Sequence, residues 1–198
     1  MKSRKPAYSF ESDDGLLVEV YHVEVGDAAY LVDLFDHLST DSRYMRFNQF
    51  LESVDSQIVQ REAEHIATVD PARGRSLLAF ADLPDQPNAP VAGARYVRTD
   101  IPQQAEVSLS VRDDMQHQGI GGHMLLCLFS EALKDGLRTL VGTFQTNNRR
   151  IWALLGESPY QSNTVIDGFQ TTVTIDLQTL RSRPEEVSMT HLDGQQVR

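Results

Sequence analysis

The residues with the most chemical content lie in one stretch, Ala105-Glu106-Val107-Ser108-Leu109-Ser110-Val111-Arg112-Asp113-Asp114-Met115-Gln116-His117-Gln118-Gly119-Ile120-Gly121-Gly122. Val107, Leu109 and Val111 alternate with Glu106, Ser108 and Ser110, the period-two pattern of a strand with one apolar and one polar face. Strand-like segments flank it in sequence, so it is expected to be central. Its polar face must then escape helical cover or line a cleft. The strand leads into Gln116-x-x-Gly119-x-Gly121-Gly122 and at once into an apolar helix. Glycines there let the backbone approach a ligand closely, and unpaired N–H groups at a helix start form an anion site. Strand, glycine loop and helix N-terminus together would cradle a pyrophosphate. Read alone, the loop is equally a tight strand-to-helix turn.

Other nucleotide motifs do not fit. Met124 stands where a dinucleotide-binding G-x-G-x-x-G would need its third glycine, and no Gly-Lys-Ser/Thr is present. The single cysteine, Cys127, excludes an intramolecular disulfide and a cysteine-based zinc site. It lies in the apolar run Met124–Phe129 and reads as core. His117 and His123 are six apart, which suits no helical metal pair, and no metal is expected. Trp152, beside Leu154 and Leu155, reads as core. Asp113-Asp114 read as cap or turn residues, and Arg149-Arg150 as a solvated pair within reach of a phosphate.

The elements that must position these groups follow from periodicity. A polar leading segment covers 1–16. Leu17–Val25 reads as a strand, and Asp27 as the N-cap of a helix to about Leu38, with Leu31, Leu34, Phe35 and Leu38 at helical spacing. A second, less buried helix spans about Asp55–Thr68. Strands follow at Ser76–Ala81 and Val91–Val97, joined by a proline-rich turn over 82–90, and then at Glu106–Val111. The glycine loop opens a helix over about Gly121–Lys134, ended by Asp135-Gly136. Thr139–Phe144 reads as a strand, Asn148–Leu155 as a short helix, and Val165–Leu177 as a hairpin turned at Asp167-Gly168. From Arg181 the chain is polar and non-periodic.

Composition bounds the partners. The 198 residues are 40% hydrophobic and 23% charged, enough for one α/β domain with a sizeable core. Eighteen Lys and Arg against 28 Asp and Glu give a net charge of −10. No basic cluster marks a nucleic-acid surface, and an acidic surface favours cationic partners. The longest notable apolar run is far short of a membrane span. Met1-Lys2-Ser3-Arg4-Lys5 is basic but no apolar stretch follows it, so the expectation is a cytoplasmic protein.

The glycine loop resembles the acetyl-CoA pyrophosphate loop of GNAT N-acetyltransferases, Gln/Arg-x-x-Gly-x-Gly/Ala, here Gln116-x-x-Gly119-x-Gly121. Leu34-Phe35-x-x-Leu38-Ser39-x-x-Ser42-Arg43-Tyr44-x-Arg46-Phe47 resembles the first-helix region of the GNAT domains of bacterial protein-lysine acetyltransferases. Val69-Asp70 and Ala105-Glu106 fit the same subgroup, and Asn148-x-x-Ile151 stands where GNAT proteins often carry Asn-x-x-aliphatic. The likeness spans about 17–178, which would form the acetyltransferase domain between a leading segment over 1–16 and a tail over 179–198. It implies a GNAT fold, a mixed and mostly antiparallel central sheet flanked by helices. It implies acetyl-CoA in a V-shaped split between two central strands, held by Val111, Gln116, His117, Gln118, Gly119, Ile120, Gly121, Gly122 and Asn148. Glu106 would be the general base for direct acetyl transfer to a primary amine, either a protein lysine or a small cationic amine. Leu155 stands where many of these enzymes carry an acid tyrosine, and nearby Tyr160 is the substitute. Homodimers are common in the family. The alternatives are a non-catalytic acyl-CoA-binding module and a generic nucleotide-binding protein.

Overall fold

The computed structural model describes residues 4–47 and 54–181, with backbone alone for 46 and 47; Met1-Lys2-Ser3 and the tail beyond Arg181 lie outside the described residues. Eight strands form one sheet: β1 (Tyr8–Glu11), β2 (Leu17–His22), β3 (Gly74–Ala81), β4 (Ala89–Arg98), β5 (Gln104–Val111), β6 (Thr139–Gln145), β7 (Tyr160–Asp167) and β8 (Gln170–Leu180). Their order is β1-β2-β3-β4-β5-β6-β8-β7. Every neighbouring pair is antiparallel except β5 and β6. A parallel pair needs a long crossover, and the 15-residue helix α4 supplies it. The remaining helices are α1 (Ala28–Asp36), α2 (Thr40–Phe47), α3 (Ser56–Ala67) and α5 (Arg149–Glu157), with α4 spanning Ile120–Lys134.

Register assigns the residues to two faces. Leu77, Ala94 and Leu109 stand opposite one another on the face that α4 covers; Met124, Leu128 and Ala132 of α4 are fully buried in that core. Leu78, Gly93 and Ser110 share the other face, where Leu78 and Phe80 pack with Leu34, Tyr30 and Leu31 of α1. Ala28 of α1 meets Ala63 and Ala67 of α3. Asp55 caps α3, its Oδ1 accepting from the Gln57 N–H at 2.8 Å.

Polar bonds lock α4 to its face. Asp135 accepts from Arg75 Nε at 2.8 Å and from Tyr96 Oη at 2.5 Å, while Arg98 donates to its carbonyl at 2.6 Å. The Arg75 guanidinium holds the Asp135 carboxyl below its usual range. One turn earlier, buried Glu131 accepts from Tyr8 Oη at 2.5 Å and Lys134 Nζ at 2.8 Å, and bonds His22 Nε2 at 2.9 Å. Burial alone would raise its pKa, yet these bonds outweigh it and hold the carboxyl at about 2.

Three expectations need correction. The polar segment over 1–16 carries β1, whose Tyr8 and Phe10 alternate inward, Tyr8 to Glu131 and Phe10 stacked on His123 at 4.3 Å. Thr40–Phe47 is a helix of its own, where periodicity had ended the first helix near Leu38. Asp27 stands at the N-cap of α1 as expected, but its side chain makes no cap bond to the helix; its buried carboxylate accepts instead from Arg4 at 2.9 Å and the Glu24 N–H at 2.9 Å. The expected closing hairpin is present as β7 and β8, longer than Val165–Leu177 at both ends.

Candidate active site

The parallel pair is joined over three residues only. Gln104, Ala105 and Glu106 pair with Thr139, Leu140 and Val141, and beyond Glu106 and Val141 the two strands part. β5 continues to Val111 bonded to β4, and β6 continues to Gln145 bonded to β8. Each therefore presents an unpaired backbone edge to the other across a widening split. Such a crevice, outside the carboxyl ends of parallel strands, is where α/β sheets bind ligands. Glu106 stands at its apex and is exposed. Alternation puts its side chain on the face of Ser108 and Ser110, opposite to α4.

The glycine loop closes the wide end. Gln116 Nε2 donates to Val111 O at 3.1 Å and to Asp113 Oδ1 at 3.0 Å, so its side chain folds the loop back on the strand. Asp113 in turn accepts from the Ser39 N–H at 3.2 Å, tying the loop to the α1–α2 connection. Asp114 pairs with buried Arg112 at 2.8 Å. Both aspartates are thus turn fasteners, as their position implied. His117 and Gly119 have positive φ, +62° and +74°, which turn successive N–H groups toward one side, and α4 starts with no side-chain cap. Gly119 is required: a Cβ there would stand 2.7 Å from Asp13 Oδ1 as well as at an unfavourable φ. Gly121 and Gly122 are different. A Cβ on either would touch Leu154 of α5 at 3.6 and 3.9 Å, ordinary contact, so they admit close packing of α5 without demanding it.

The polar face of β5 opens on a cavity of about 300 Å³ between the sheet and α1 and α3. Leu34, Leu38, Val59, Ala63 and Ile66 give it apolar walls; Ser76, Arg95, Ser108 and Ser110 are its polar groups on the sheet, with Glu62 on α3. Sequence reasoning missed Arg95. An arginine in a strand carries no signal until register sets Ser76 and Ser108 directly beside it.

The other expected residues are placed as follows. Val111 ends β5 beside the loop, its Cγ2 near Gly121. Asn148 is the cap of α5, its Oδ1 accepting from the Ile151 N–H at 3.3 Å. Tyr160 opens β7 and packs edge-on against Phe129 of α4, ring centroids 5.3 Å apart. The sheet therefore separates Tyr160 from the face that carries Glu106. Trp152 packs edge-on against Phe144, and its Nε1 donates to Thr146 O at 2.8 Å. Arg149 and Arg150 are exposed beside the start of α5. Burial pushes the Cys127 thiol up to about 11, with the Glu131 charge adding to it, so it is no nucleophile. Among the described residues no His, Cys, Asp and Glu cluster could hold a metal, and no helix is long and apolar enough to cross a membrane.

The sequence matches no family model and no curated protein. Solved structures do match. The GNAT domain of the Streptomyces lividans protein PAT aligns over 87% of this chain and 99% of its own, with a TM-score of 0.71 and 21% identity. The PaiA N-acetyltransferase from Thermoplasma acidophilum, in complex with coenzyme A, covers 80% of this chain and 98% of its own, with a TM-score of 0.60 and 13% identity. A cAMP-binding acyltransferase from Mycobacterium smegmatis covers 91% of this chain but only 51% of its own, with a TM-score of 0.57 and 20% identity. The fold is therefore that of the GNAT acetyltransferases, as the sequence motifs imply: a mixed α/β sheet flanked by helices.

Proposed function

We propose that this protein is an acetyl-CoA-dependent N-acetyltransferase that moves an acetyl group directly to a primary amine. The observation that carries the reading is the split itself. It opens at Glu106, on the polar side of β5, and ends at an uncapped helix start behind a left-handed glycine. Those residues fit the coenzyme. The N–H groups from His117 to Gly122 would take the pyrophosphate, Gln116 holding their loop in shape and Val111 flanking it. The unpaired edges of β5 and β6 would bond the amides of its arm. Bound acetyl-CoA supplies an activated thioester carbonyl.

An incoming ammonium must lose a proton before its nitrogen can attack that carbonyl. Glu106, exposed at the apex, is the carboxylate that takes it, directly or through water. The carbon–nitrogen bond forms as the carbon–sulfur bond breaks, the nitrogen gives its second proton to the departing thiolate, and coenzyme A leaves as the thiol. Asn148 starts α5, whose Leu154 backs the glycines, and its Nδ2 donors, which the cap does not use, would be left for the coenzyme. Tyr160 packs against Phe129 on the α4 side of the sheet, and the proposed reading gives it no step.

The test is Glu106→Gln, which keeps the size of the side chain and removes its basicity. Turnover should fall by about 10²- to 10⁴-fold, while acetyl-CoA affinity by calorimetry stays within about twofold. Equal turnover by the variant would remove Glu106 from the chemistry. A wild-type protein that binds acetyl-CoA but acetylates no amine would be an acyl-CoA-binding module instead.

A further inference from the structure

The cavity beside the split holds a cation that the fold does not use. β4 carries Arg95 and Arg98 on opposite faces. Arg98 donates to Asp135, and Arg75 on β3 is likewise held by Asp135. Arg95 makes no hydrogen bond among the described residues. Among the described residues its ionic contact is to Glu62 Oε1 at 3.7 Å, and that carboxylate is itself 56% exposed. Its own side chain is only 27% exposed and lies in the cavity wall between Ser76 and Ser108, its cross-strand partners. A guanidinium has five N–H donors in a fork that matches a carboxylate. They open on a cavity with the apolar walls Leu34, Val59 and Ile66, where a bound anion would exchange their water for charge-assisted bonds.

Glu106 stands in a defined relation to it. Glu106 is opposite Val97, and Arg95 is two residues before Val97, so the two are diagonal neighbours on one face of an antiparallel pair. Such positions lie about 7–8 Å apart. The two side chains make no ion pair with each other, although their charges are opposite. An acceptor with an ammonium and a carboxylate on one carbon fits between them, its nitrogen toward Glu106 and its carboxylate toward Arg95. A substituent on the carbon between would enter the apolar cavity, whose volume of about 300 Å³ is at the small end of ligand sites.

We infer that the acceptor is a free α-amino acid with an apolar side chain, its carboxylate bound by Arg95 and its α-amine delivered to Glu106. This rests on the acetyltransferase reading above. It departs from the net charge of −10, which favours a cationic acceptor, because the groups that line the cavity act at contact distance while the outer surface is screened by salt. A long acyl chain is a poorer occupant, since it would desolvate Arg95 without bonding it.

The experiment measures coenzyme A release from acetyl-CoA with leucine, methionine and phenylalanine, with their amides, with spermidine, and with a lysine peptide blocked at both ends. Each free acid should exceed its own amide in kcat/KM by about 10- to 100-fold, the worth of a charge-assisted bond. Arg95→Gln should bring that ratio close to one, mainly through KM for the acid. Calorimetry with acetyl-CoA on the same variant shows that its fold and coenzyme site are intact. Amides, spermidine or the lysine peptide used as well as the acids would overturn the inference and leave acetyl transfer standing. So would an acid-to-amide preference that survives Arg95→Gln. Absence of turnover with every amine would overturn both readings, and absence of acetyl-CoA binding would locate the failure in the glycine loop.

Discussion

Gly119 and Gly136 offer a matched pair for testing whether the loop before α4 binds a ligand. Both are left-handed, at φ +74° and +73°, one at each end of the same helix. A Cβ at Gly136 would meet nothing within 4 Å, whereas one at Gly119 would stand 2.7 Å from Asp13 Oδ1. Placing an L side chain in the left-handed region costs about 1–2 kcal/mol. For a domain of this size that is about 2–8 °C in Tm, and it applies to both alanine variants. Gly119→Ala must in addition push aside the exposed Asp13 carboxylate, whose backbone is tied to the loop by its N–H to Gln118 O at 3.0 Å, or twist the loop. A twisted loop no longer directs its N–H groups to one point. Losing one charge-assisted bond costs about 1.5–3 kcal/mol, or about 10- to 100-fold in Kd for acetyl-CoA. Calorimetry and thermal unfolding on the two variants separate the effects. Gly136→Ala should lose stability and keep affinity; Gly119→Ala should lose both. Equal affinity in the two variants would mean that the loop is a turn and the cradle reading is wrong.

Two further outcomes concern α4. Glu131 is held at about 2 against an ordinary 4.5, worth about 3 kcal/mol if fully buried. His22 and Lys134 are 43% and 61% exposed, which screens it to about 2 kcal/mol. Glu131→Gln should therefore lower Tm by about 4–8 °C at pH 7. A lowered carboxyl stabilises the fold above its unfolded pKa, so the difference should persist above pH 4.5 and shrink as pH falls toward 2; a constant difference would contradict the linkage. Cys127, buried and with its thiol pushed up to about 11, should resist thiol reagents at pH 8 until the protein unfolds. Rapid labelling of the folded protein would show that α4 opens from the sheet.

What was legible in the sequence was local. The strand from Glu106, the glycine loop and α4 are contiguous, so alternation, turn residues and apolar run each mark their own segment. β1 is four residues long, and its place depends on Tyr8 reaching Glu131 and Phe10 reaching His123, contacts more than 100 positions away. No local pattern contains them. α2 is short and polar, and its sequence differs little from a loop. Asn148 shows a different limit. Its side-chain oxygen starts α5, a second role that the sequence position did not announce, while its two Nδ2 donors are not used by the cap.

Arg95 is illegible for a third reason, and it bears on how the sheet divides its work. Strand alternation forces β3, β4 and β5 to place polar residues on both faces. On the α4 face Arg75, Tyr96 and Arg98 all close on Asp135, so that helix is fixed and its start is held at the split. On the other face Ser76, Arg95 and Ser108 stand in a row; among the described residues α3 brings them one loose acceptor, Glu62 at 3.7 Å from Arg95, and α1 and α3 otherwise bring Leu34, Val59 and Ala63. The polar atoms of that row are open to solvent in the cavity, so they are not a desolvation cost, and they are not fastened as Asp135 fastens the other face. The same three strands thus lock one face and leave the other hydrated, next to the carboxylate at the apex of the split. On the proposed reading, that hydrated face is where an acceptor would exchange water for charge-assisted bonds.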